Sequence, residues 1–244
     1  MAHDSARVVF IMEAGTSLGR AVALEFARCS VTVGLGHSGV PSVPLLEIQE
    51  AVRSTGGNAF VVDGLDTTGE GGKGCFQQIL DTARRLDFLV NLSVPTPEVT
   101  ASQLRNYPGI LLDRCATASE IIARHGENGA IVNQCMMASA YMDTPIESEV
   151  IALKMALVGA TRALCIRYGG IGIRTHCLQT AMVDLPEIKA FVSDRALAAP
   201  VPLGRWATAE EVAKFIAFLA LKGTYMSGSI VVLDGGLTAG MGAA

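Results

Sequence analysis

The chain has 244 residues, half of them apolar and only 17% charged, enough to bury one large core. A formal net charge of −4 and the lack of any basic run leave nucleic-acid binding without support. Six cysteines stand singly, with no C-x-x-C pair and no His/Cys cluster. They read as small buried thiols in a reducing compartment, not as a disulfide framework or zinc site.

The start, Met1 to Ala6, is polar, and the apolar run after it lasts only from Val8 to Met12. That is a buried strand, too short for a signal peptide or a membrane span. The stretch Val212 to Leu221 is interrupted by Lys214. The expectation is a cytoplasmic protein with no membrane partner.

In chain order, strand Val8–Met12 runs into the turn Met12-Glu13-Ala14-Gly15-Thr16-Ser17-Leu18-Gly19-Arg20. A helical stripe of Leu18, Val22 and Phe26 follows, then strand Val31–Leu35 with Gly36, His37 and Ser38 at its end. Leu45, Ile48 and Val52 begin the next helix, before strand Ala59–Asp63. The Gly-rich patch Thr67–Gly74 reads as a loop or a frayed helix start, ahead of helix Phe76–Leu86 and strand Phe88–Leu92. A loop at Val94–Pro97 precedes helix Ala116–Arg124, strand Ala130–Asn133, helix Ile151–Ile166 and strand Ile173–Leu178. Helix Ala209–Leu221 and strand Ile230–Leu233 close the series. Continuously apolar strands alternating with helices predict an α/β fold. The expected architecture is a single doubly wound parallel seven-stranded sheet with helices on both faces, one domain over 1–244.

A fold of this kind seats a pyrophosphate on the amides of the first strand-to-helix turn, where glycines let the backbone come close. Here the setting is right and the residues are half right. The turn resembles the Thr-Gly-x-x-x-Gly-x-Gly pattern of the short-chain dehydrogenase/reductase family, a Rossmann-type fold. Gly19 keeps the last glycine, while Met12, Glu13 and Ser17 replace the threonine and the first two glycines. The resemblance makes Gly15, Thr16, Ser17, Leu18 and Gly19 the phosphate cradle, into which Glu13 brings a repelling charge. As a plain strand-to-helix connection the turn would need no cofactor at all.

The rest of the pattern spans nearly the whole chain. Family members that bind NAD hold its ribose with an acid after the second strand. This chain has none there, so the resemblance implies NADP(H), if any cofactor, with His37 and Ser38 as partners for the extra phosphate. Asp63 matches the aspartate that meets the adenine, or only caps its loop. Asn91 is what remains of Asn-Asn-Ala-Gly, here Asn91-Leu92-Ser93-Val94. Asn106-Tyr107-Pro108-Gly109 matches the motif whose asparagine organises a proton-relay water. The catalytic Tyr-x-x-x-Lys becomes Val150-Ile151-Ala152-Leu153-Lys154, and Met136 stands where the serine belongs. After the sixth strand Pro-Gly becomes Thr180-Ala181, and an asparagine becomes His176. Pro202-Leu203-Gly204-Arg205 through Asp234-Gly235-Gly236 closely resembles the end of 3-oxoacyl-acyl-carrier-protein reductase-like members. There these segments build a subunit interface, implying a homotetramer or homodimer, or a heteromer with an active paralogue.

In the family reaction the tyrosine hands over a proton while hydride moves between nicotinamide and a carbonyl carbon. The serine steadies the oxygen. Such a positioned acid contributes about 10²–10⁴-fold and an oxyanion donor about 10²–10³-fold. Valine and methionine can do neither. Ordinary oxidoreduction is therefore expected to be lost or strongly altered. That would leave a cleft for a hydrophobic small molecule, with non-redox chemistry, simple binding or a partner-subunit or scaffolding role.

The alternative is a working NADP(H)-dependent ketoreductase whose substitute acid is Tyr141; Asp143, Glu147 and Glu149 are nearby, as acids or as caps of the next helix. Lys154 reads either as a packed relic or as a desolvated base or nucleophile among Met136, Val150 and Met155.

Overall fold

Strand β1, Val8–Met12, is apolar and buried at every position, as a strand covered on both faces must be. The computed structural model describes residues 6–64, 71–92, 101–125, 128–136, 147–189 and 201–240, with the backbone alone at 71–73, 101–104, 147–150 and 240. Six more strands join β1: β2 Thr32–Gly36, β3 Ala59–Val62, β4 Phe88–Asn91, β5 Ala130–Met136, β6 Arg174–Thr180 and β7 Ser229–Leu233. They form one seven-stranded sheet in the order β3-β2-β1-β4-β5-β6-β7, with every pairing parallel. The order reverses between β1 and β4, so the crevice of a doubly wound sheet opens beyond Met12 and Asn91.

The pleat divides the interior in two. Val9 and Ile11 join an apolar cluster with α1 (Ser17–Arg28), α2 (Leu45–Ser54) and α7 (Ala209–Leu221). Val8, Phe10 and Met12 join a second cluster with α3 (Gly71–Ala83), α4 (Ala101–His125) and α5 (Glu147–Tyr168). Two short helices, α6 (Pro186–Lys189) and α8 (Leu237–Gly240), and a 3-10 turn at Gly169–Ile171 complete the described elements.

Two expectations change, and a third is narrowed. Helix α4 starts at Ala101, well before Ala116, and carries Pro108 inside it. A proline costs a helical hydrogen bond, which is why the sequence pattern hid that half. Strands β5 and β6 run past Asn133 and Leu178, because their polar ends satisfy each other: Gln134 Nε2 donates to Thr180 Oγ1 at 3.0 Å. The Gly-rich patch is helical from Gly71 onward, while its earlier residues and the Val94–Pro97 loop lie outside the described residues.

All six cysteines are free; Cys29 is exposed and Cys165 half-buried, against the expectation that all are core thiols. Among the described residues no helix is long and apolar enough to cross a membrane.

Candidate functional site

After Met12 the chain turns through Glu13, whose φ of 60° is a left-handed conformation that favours glycine. Ala14 N–H returns to the Gly36 carbonyl at 2.8 Å, which ties the turn to the end of β2. Thr16 then caps α1, its Oγ1 accepting from Gly19 N at 2.9 Å. Gly19 must be glycine: a Cβ there would stand 2.2 Å from the Ala14 carbonyl oxygen. Leu18 faces inward and is fully buried, so only its backbone belongs to the turn.

The chain itself occupies the space over this cradle. Ser17 N–H donates to Glu187 Oε1 at 2.7 Å, although the two residues are 170 positions apart. Gly15 lies beneath Pro41, so closely that an added Cβ would come within 2.3 Å of the proline Cβ. Ser42 Oγ and Val43 N both donate to the Gly15 carbonyl at 3.1 Å.

Glu13 reaches the other way. Its carboxylate accepts from Ser38 Oγ at 2.5 Å and from Ser38 N at 3.2 Å. His37 Nδ1 stands 3.2 Å from Glu13 Oε2, an ion-pair contact when the ring is protonated but without hydrogen-bond geometry. His37 and Ser38, the expected partners of an extra phosphate, are thus turned toward an internal carboxylate. With one carboxylate on the Ser17 amide, another at the end of β2 and Pro41 on Gly15, a dinucleotide does not fit the turn as it is arranged here.

Asp63 lies just past β3 and is exposed. Gln78 clasps its backbone, accepting from Asp63 N at 3.1 Å and donating to its carbonyl at 2.9 Å. That geometry belongs to loop fixing. Asn91 is buried and donates from Nδ2 to Asn133 Oδ1 at 2.7 Å and to Cys115 Sγ at 3.5 Å. It laces β4 to β5 and α4, while its own Oδ1 has no partner within hydrogen-bond reach.

At the reacting end the pleat of β5 is decisive. Met136 belongs to the α1–α7 cluster, together with Leu178 and Met182. Cys135, one position earlier, belongs to the α3–α5 cluster with Cys177 and Leu153. Lys154, 8% exposed on α5, lies near enough to lower the Cys135 pKa by its charge. A hydrogen bond from the Cys177 thiol is the larger cause of that lowering, and burial opposes both.

The expected apolar surround of Lys154 is therefore corrected: Met136 packs on the opposite side of the sheet, and Met155 is 61% exposed. Position 150 is one turn before Lys154 on the same helix and described by its backbone alone. Asn106 is exposed on α4. Tyr141 lies outside the described residues.

Sequence reasoning passed over three groups that the structure brings to the crevice. Tyr107, on α4, is close enough to Glu13, Cys115 and Cys135 to feel their charge. Burial first, and the Glu13 carboxylate second, push its phenol far above the ordinary range, so it keeps its proton. Cys135 could have been found from strand alternation, since residues 133 and 135 share a face. Glu187 gave no sequence signal, because nothing local links it to a turn 170 residues earlier. Beyond the crevice, a pocket of about 300 Å³ opens past the ends of β6 and β7, with Met182, Leu203, Ala207 and Leu233 in its wall. Among the described residues no cluster of three or more His, Cys, Asp or Glu could hold a metal.

Known proteins share this sequence pattern and fold. The family profile described as enoyl-(acyl carrier protein) reductase matches residues 14–238. A cis-4-hydroxycyclohexanecarboxylate dehydrogenase from Sinomonas cyclohexanicum is 29% identical, over 96% of this chain and 97% of its own. The 3-oxoacyl-[acyl-carrier-protein] reductase FabG of Thermotoga maritima is 25% identical, over 95% of this chain and 97% of its own. Among solved structures, a protein assigned as an NAD(P)-dependent gluconate 5-dehydrogenase from Beutenbergia cavernae, with NADP bound at low occupancy, aligns at a TM-score of 0.78. It is 28% identical and covers 97% of this chain and 98% of that one.

Proposed function

Because this chain belongs to the short-chain dehydrogenase/reductase family, its relatives being oxidoreductases that include FabG-like members, we propose that its own chemistry has diverged. In this reading ordinary NAD(P)-dependent carbonyl or alcohol oxidoreduction is lost or strongly altered, and the crevice beyond β1, β4 and β5 receives a small apolar molecule. One observation carries the proposal. Where the family keeps a serine, Met136 is buried in the apolar cluster of the α1–α7 side, with no hydroxyl to offer. The valine at 150, one turn before Lys154, likewise has no proton to give.

The residues that remain can bind and orient. Lys154 supplies a positive charge beside Cys135, and Tyr107 a phenol that stays protonated. If a nucleotide is accepted, it is NADP(H), since no acid follows β2 to hold a free ribose. Six free cysteines support a reducing compartment, the cytoplasm.

The test is direct. Purified full-length protein is offered NADPH or NADH with a panel of aliphatic and cyclic ketones, and NADP⁺ or NAD⁺ with the matching alcohols. Losing both donors should leave rates at least about 10³-fold below those of an intact family enzyme assayed alongside. Multiple turnovers of any ketone at a comparable rate would refute the reading.

A further inference from the structure

We propose that Glu187 is a latch on the phosphate turn: its carboxylate takes the amide at the start of α1 that a phosphate or diphosphate would otherwise take. This rests on the reading above only in placing a nucleotide phosphate at this turn. It adds that the chain regulates access to the turn itself.

Helix α1 is twelve residues long, and the Ser17 N–H is among its first amides, which have no partner inside the helix. Thr16 satisfies Gly19 N, and Glu187 satisfies Ser17 N at 2.7 Å. A carboxylate on an N-terminal amide is a short, charge-assisted contact, the same chemistry by which these amides hold phosphate.

The latch is mounted on a fixed base. Leu185 and Ile188, on either side of Glu187, are fully buried in the α1–α7 cluster. Asp184 N–H donates to the Ala207 carbonyl at 2.8 Å, and the Asp184 carboxylate pairs with Lys189 at 2.5 Å. The Glu187 side chain itself is only half-buried. Opening therefore needs one side chain to rotate outward, with α6 left in place.

Glu13 is a second internal carboxylate, held by Ser38 Oγ and N. A purely structural Glu187 would only lend α1 stability. A latch also excludes anions, by occupying their donor and by repelling their charge.

Isothermal titration calorimetry with inorganic pyrophosphate and with NADPH, on the full-length protein, separates the two. Glu187→Ala should bind pyrophosphate at least about tenfold more tightly than the wild type. Glu187→Gln should show a smaller gain, because its amide oxygen can still accept from Ser17 N without the charge. Glu13→Gly combined with Glu187→Ala should bind NADPH more tightly than Glu187→Ala alone. Melting curves establish that each variant is folded; should the alanine variant fail to fold, the near-isosteric glutamine variant carries the test. Equal pyrophosphate affinity in wild type and folded Glu187 variants would overturn the latch. Binding is read here and turnover above, so ketone reduction by the wild type would sink the proposed function and leave the latch standing.

Discussion

His176 is buried on β6 with the Arg174 guanidinium beside it, Arg174 Nη1 and His176 Nε2 being 3.5 Å apart. Burial first, and that positive charge second, hold its pKa down to about 4 from an ordinary 6.5. The unfolded chain therefore binds a proton between pH 6.5 and 4 that the folded one refuses. Stability is complete above the unfolded value and falls as pH drops through this window, by a few kcal/mol on the order of 2–3. Urea midpoints at pH 7 and pH 5 should show the loss, and His176→Asn should flatten it; an equally steep decline in that variant would assign it to other groups. At this scale the sequence was uneven as a guide. Gly19 was legible because a close backbone approach admits nothing larger. Glu13 was legible as a charge in the wrong place, but its partners were not, since His37 and Ser38 were read as facing a ligand.

Among the elements, the strands were the most readable, because burial on both faces writes itself as unbroken apolar runs such as Val8–Met12 and Phe88–Asn91. What failed was where a local rule was overridden: Pro108 within α4, and the paired polar residues that prolong β5 and β6. Helix α7 shows local and tertiary signals in agreement. Thr208 Oγ1 accepts from Glu211 N at 3.2 Å while Glu211 Oε2 accepts from Thr208 N at 2.9 Å, a complete capping box. At its far end Arg174 donates to the carbonyls of Leu219 and Ala220, each at 2.6 Å, and of Gly223 at 3.1 Å. Thr208→Ala should cost about 1 kcal/mol, seen as a melting temperature lower by a few degrees. An unchanged melting curve would mean the box contributes nothing that water does not replace.

For the molecule as a whole, the doubly wound sheet and its seven strands were predictable, and the outer apolar faces were only half so. Strand β7 is one of the sheet's two edges, with Val232 45% exposed, and Phe218 of α7 is exposed too. This is the C-terminal region whose resemblance implied a subunit interface. Helix α5 adds a second such surface, with Ile151 and Met155 exposed and Ile166 86% exposed, which the periodicity of its inward face had concealed. Flat edges and apolar helix faces of this kind are normally covered by another subunit. Light scattering on the eluted protein should therefore give a dimer or a tetramer at micromolar concentration. Val232→Glu should shift that mass downward with the fold retained, and a wild-type monomer would remove the expectation.

The alternation along β5 sets terms for anyone rebuilding a proton donor in this scaffold. Because neighbouring positions on a pleated strand belong to different cores, a hydroxyl restored at 136 would enter the layer shared with Leu178 and Met182, and one installed at 135 the layer that holds Lys154.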